Sequence, residues 1–122
     1  MTLEEGRDAI VAAIEGAGDV RAYDHVPDSV GEFPAALVRL SGANYTLGTY
    51  TFSVLVLVGG WAEGEVEKSL HPLLESGGAG SLPAAIGADP GLVVVSCSGI
   101  ERRLVGGQPY LGAELVVVAS DA

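Results

Sequence analysis

Positive charge is scarce in this chain. Six lysines and arginines stand against sixteen aspartates and glutamates, for a net charge of −10. Proteins grip phosphate backbones through clustered cations that release counterions. Anionic membranes attract polybasic segments. This charge balance argues against both as surfaces held by attraction. Cysteine is scarcer still: Cys97 is alone, so no internal disulfide forms and the fold owes nothing to oxidation. Its place inside LVVVSCS predicts a buried, inert thiol and not a nucleophile. No apolar run approaches the roughly 18 residues that a membrane-crossing helix needs. The opening residues MTLEEGRD lack a basic region followed by an apolar block, which predicts no secretory signal and folding in a cytoplasm.

Signatures of catalysis are also missing. There are two histidines, His25 in a Pro/Asp-rich stretch and His71 beside Pro72. No G-x-S-x-G turn presents a serine nucleophile, although triads can also assemble from distant positions. GGAGS at Gly77 to Ser81 lacks the lysine and the spacing of a phosphate loop and reads as a hinge. Asp24, His25 and Asp28 could hold a divalent ion weakly; as loop polarity they need only water. Glu65 and Glu67, two apart on a predicted helix, do not face each other. Arg102 and Arg103 are adjacent cations near a predicted hairpin tip, with side chains on opposite faces of a strand. They suit an intersubunit salt bridge, or an edge charged against wrong pairing. Trp61, at a strand-to-helix corner, suits a core plug or an interface anchor. The expectation is a protein that is not an enzyme and carries no cofactor and no metal.

What the chain does have is β-forming apolar sequence. Hydrophobic residues make up 48% of 122 residues, a folding composition of single-domain size spanning 1–122. Thr2 to Ala17 reads as a helix, with Thr2 and Glu5 spaced as a capping box and Leu3, Ile10, Ile14 and Ala17 on one face. Val20–Asp24 and Ala35–Leu40 read as strands separated by the loop HVPDSVGEFP. SGANYTLG then turns into a long strand from Thr49 to Val58. A second helix is expected over about Ala62–Ser76, kinked or cut short by Pro72. A short helical turn follows, capped by Ser81. Leu92–Ser98 is a strand that continues as IERRLV after a bulge expected near Gly99. Gly106-Gly107 signals a hairpin, and Gln108–Ser120 is the last strand.

This order predicts an α+β fold: a mainly antiparallel sheet with two to three helices packed on one face. Several strands are apolar on both alternating faces, so both faces need cover. The helices suffice for one. An apolar face left over marks an interface, and the expected cover is other copies of the same chain.

The layout resembles a known family. A helix, LEEGRDAIVAAIEGA, precedes a strand and a proline-containing loop, VRAYDHVPDSVGEFPAALVRL. A long β run, a short helix and a closing hairpin with its GGxxYLGAELVV stretch from Gly106 to Val117 complete it. This order resembles the small tail terminator proteins of long-tailed bacteriophages, also described as minor tail or head–tail joining proteins. The resemblance covers nearly the whole chain and rests on order, size and texture, with no invariant signature. It implies a structural virion protein assembled in the bacterial cytoplasm: a ring, typically hexameric, capping the head-proximal end of the tail tube. Such a ring ends tube polymerisation and joins the tail to the connector at the neck. The implied partners are sister subunits, the major tail (tube) protein and the connector or stopper protein, with double-stranded DNA passing through unbound and no membrane.

On that resemblance, Trp61, Arg102, Arg103 and Tyr110 are expected at interfaces, and Asp24, Asp28 and Glu32 are expected to face the lumen. Six copies of a −10 chain would carry roughly −60, a wall along which a duplex slides without being held. Three alternatives stay open: another neck component (head-completion or head–tail adaptor protein), a small α+β enzyme or ligand-binding domain using Asp24, His25 and Asp28, and an adaptor bound to a single protein partner.

Overall fold

The computed structural model describes residues 2–59 and 63–120. Elements run α1 (Leu3–Ala17), β1 (Arg21–Tyr23), β2 (Ala35–Asn44), β3 (Thr49–Leu57), α2 (Glu63–Leu74), α3 (Leu82–Gly87), β4 (Leu92–Cys97), β5 (Glu101–Val105) and β6 (Gln108–Ser120). The fold is α+β, with three helices and a mixed six-stranded sheet.

Local chemistry sets the helix ends. Thr2 and Glu5 form the capping box, each side chain bonding the other's backbone N–H at 3.1 and 2.8 Å. Two of the N–H groups that a helix start leaves unpaired are thereby satisfied. α2 stops at Leu74, two residues beyond Pro72 and short of the expected Ser76. A proline deletes a backbone donor and crowds the preceding turn, so little helix survives past it. Ser81 caps α3 by accepting from the Ala84 N–H at 3.1 Å, while its hydroxyl donates to the Glu75 carbonyl. One side chain therefore ties the end of α2 to the start of α3.

The sheet order is β1-β2-β3-β6-β4, with β5 also on β6. All pairings are antiparallel except β1 with β2. β6 is the spine. Its first half pairs β5, its second half pairs β4, and β3 runs along its other side. β4 and β5 are thus one strand interrupted at residues 98–100, where the bulge was expected. A second register shift lies between Val94 and Ser96. β2 reaches Asn44, so half of the stretch read as a turn is strand, with a register shift between Leu40 and Gly42. Pairing with β3 outweighs the weak β preference of Gly42 and Asn44.

Alternation along the strands divides the core in two. Val54, Val56, Leu115 and Val117 meet Ile10 and Ile14 of α1, Val66 and Leu70 of α2, and Leu82 and Ile86 of α3. On the opposite face Ala35, Leu37, Leu55 and Leu57 form a smaller cluster with Val105 and with Val30 of the β1–β2 connection. The molecule therefore covers part of its second face itself, using the proline-containing loop. Among the described residues no helix is long and apolar enough to cross a membrane.

Candidate functional site

The second sheet face has a clothed end and a bare end. At the clothed end the β1–β2 loop folds down through Val30 and Phe33. Tyr110 holds it there: the Val30 N–H donates to the Tyr110 hydroxyl at 3.1 Å, and the Phe33 and Tyr110 rings pack with centroids 5.8 Å apart. The Gly106-Gly107 turn presses on the same loop, for a Cβ at Gly106 would overlap the Asp28 carbonyl.

At the bare end the paired rows are Gly42, Thr51, Val118 and Val93, then Arg39, Ser53, Val116 and Ser96, with Ser53 alone of these buried. Val93 is 58% exposed and Val95 60%. The β2–β3 hairpin extends beyond this end and carries Tyr45 at 87% and Leu47 at 71% exposure. The tip is built and not slack: the Leu47 N–H donates to the Asn44 side-chain carbonyl at 3.0 Å.

Charge is segregated in the same pattern. No carboxylate occurs between Glu32 and Glu63, between Asp89 and Glu101, or between Glu114 and Asp121. These spans contain β2, β3, β4 and the end of β6. The acidic residues concentrate on α1, α2 and the β1–β2 loop. The bare end is thus free of carboxylates and rich in β-branched residues, with one cation, Arg39, opposite Ser53, within a strongly acidic molecule.

The residues singled out from sequence take several places. Asp24, Asp28 and Glu32 are all exposed on the β1–β2 connection. His25 Nδ1 lies 2.7 Å from Asp24 Oδ1. This hydrogen bond holds the Asp24 carboxyl below its ordinary value against an opposing desolvation. Asp24 and His25 line an open cleft of about 450 Å³ between α1 and β1, with Asp8, Glu15 and Arg21. Asp28 does not join them as a ligand set: among the described residues no group of three or more His, Cys, Asp or Glu is arranged to hold a metal. Arg102 is exposed. Arg103 turns inward, its Nη2 donating to Ser98 Oγ at 2.8 Å and lying 3.6 Å from Glu101. Ser98 Oγ also accepts the Glu114 N–H at 3.0 Å, so this cluster secures the β4–β5 joint. Tyr110 spends both ring and hydroxyl inside the chain. Trp61 lies outside the described residues.

One expectation is corrected. Cys97 is exposed and not buried, because β4 is an edge strand with no element along its outer flank among the described residues. Partial burial still pushes its thiol above the usual cysteine range, with Arg103 pulling the other way. Tyr45 and Leu47 went unremarked in the sequence. The available signal was two large apolar residues inside a segment otherwise composed of turn formers.

No family model and no curated protein matches this chain. Among solved structures it is similar to ShkA, full-length in complex with AMPPNP, at 15% identity and a TM-score of 0.34. That match covers 96% of this chain and 28% of the ShkA chain. A likeness this weak carries no argument about fold or function.

Proposed function

We propose that the chain is an assembly protein that works through contacts with sister copies, in the manner of a phage tail terminator ring at the head-proximal end of a tail tube. The carrying observation is the half-clothed second sheet face, where Val93 and Val95 stand exposed beside Val116 and Val118. Exposed apolar residues grouped on one face mark interfaces in soluble proteins. Its partners in the virion are the tube protein on one side and the neck connector on the other, and the acidic loop bearing Asp24, Asp28 and Glu32 faces the passing DNA.

The test is direct. Purified protein is imaged by negative stain and sized by light scattering, alone and with tail tubes. Rings, or monomers that become rings on tube ends, are expected. A protein that stays monomeric at every concentration and ignores tubes overturns the proposal.

A second reading has one observation in its favour: the Asp24–His25 pair lies in a cleft, as a small-molecule site requires. Asp24 itself does not serve as a general acid near neutrality, which needs a carboxyl raised toward pH 7, whereas Asp24 is lowered; in this reading it orients His25. A His25→Ala variant that loses binding of a metal or metabolite would revive this alternative.

A further inference from the structure

The geometry points to a head-to-tail contact in which the β2–β3 hairpin tip of one copy, through Tyr45 and Leu47, seats in the cleft between α2 and the β4–β5 joint of the next copy. That cleft holds about 390 Å³ and is lined by Glu67, His71, Leu74, Ser98, Gly99 and Ile100. Its size falls in the range of binding sites for small organic groups. Leu74 and Ile100 offer an apolar floor to Leu47. At the rim His71 Nε2 lies 3.3 Å from Glu67 Oε1, polar partners for the Tyr45 hydroxyl.

Charge selects the occupant. The cleft rim belongs to the acidic helix layer, which repels most of a second −10 chain. The hairpin carries no carboxylate and one cation, Arg39, so it approaches without that penalty. The cleft between α1 and β1 is unsuitable: Asp8, Glu15 and Asp24 line it, and a leucine there would strip water from carboxylates without replacing it. A copy cannot fill its own cleft. The tip stands at the Ser120 end of β6 and the cleft beside Glu114, about 20 Å away along the strand at 3.3 Å per residue. Tip and cleft are different surfaces, so the contact is heterologous and propagates into a closed ring or an open filament.

This contact rests on the proposed function only in needing self-association. Two surface variants test it. Leu47→Glu spoils the tip at an exposed position. Gly99→Gln fills the cleft mouth, where an added Cβ meets nothing within 4 Å. His71→Glu, at an exposed rim position, repeats the cleft arm independently. Sedimentation velocity should show self-association of each variant weakened at least about tenfold, the loss expected for a central anchor, with unchanged thermal melts. An equimolar mixture of a tip variant and a cleft variant should form a heterodimer and stop there, since one intact tip meets one intact cleft. Variants that assemble like the parent, or a mixture that remains monomeric, overturn the contact and leave the ring proposal standing. A parent that never self-associates overturns both. Assembly as described without capping of tail tubes removes the tail-terminator role alone.

Discussion

Asp24 and Cys97 show how local surroundings set reactivity. Asp24 is ionised more readily than a free aspartate because His25 stands 2.7 Å away. A carboxylate lowered in the folded state contributes stability above its unfolded pKa, and that contribution is lost as pH falls through the folded value. NMR titration should place the Asp24 midpoint below that of an unstructured peptide, and His25→Ala should return it to the ordinary range; an unmoved midpoint refutes the coupling. Cys97 behaves in the opposite sense. It is exposed yet slow: with its thiol held above the usual range, little thiolate exists at neutral pH. Its alkylation by iodoacetamide should lag behind that of a free cysteine peptide near pH 7.5 and approach it only in stronger base. Equal rates at neutral pH would refute that account.

At the scale of elements, the closing hairpin depends on its turn. Gly106 and Gly107 have φ of +58° and +81°, the left-handed pair that a two-residue hairpin turn favours. The turn also packs against the Asp28 carbonyl. Gly106→Ala should cost about 1–2 kcal/mol for the conformation, and more for displacing the β1–β2 loop. Chemical denaturation should show a lowered midpoint, and protease cleavage should move into residues 25–34. A midpoint within error of the parent would mean that the loop is not anchored there. The neighbouring close approach is at Gly112, where a Cβ would meet the Val56 carbonyl and the Leu57 side chain, so β6 tolerates no side chain at that crossing.

At the scale of the whole molecule, β2, the β2–β3 turn, β3, β4 and the end of β6 carry no carboxylate and expose Tyr45, Leu47, Val93 and Val95, while Val26, Phe33 and Leu104 are exposed elsewhere. The proposed assembly must overcome repulsion between −10 chains. Salt screens that repulsion: the Debye length falls from about 30 Å at 0.01 M to about 8 Å at 0.15 M. Apolar contact does not weaken over that range. Self-association should therefore tighten on adding salt, measured by light scattering at fixed protein concentration. Weakening with salt would instead indicate a contact held by ion pairs, with Arg102 the first cation to examine.

Helix α1 was legible in the chain from Thr2 and Glu5 to the spacing of Ile10 and Ile14, because capping and amphipathic periodicity are local. So were the Gly106-Gly107 hairpin and the interrupted β4–β5 strand. The acidic balance and the two-faced apolarity of the strands were equally plain, and they carry the expectation of an assembly protein. Long-range pairing was not legible. Only packing turned the His25–Pro34 loop onto the second sheet face through Val30, Phe33 and Tyr110, clothing one end of it. The position of β4 at an edge exposed Cys97, and a hairpin longer than its turn residues suggested carried Tyr45 and Leu47 into solvent. A residue's neighbours along the chain determine its conformation, but its exposure depends on partners distant in sequence, which only the closed sheet supplies.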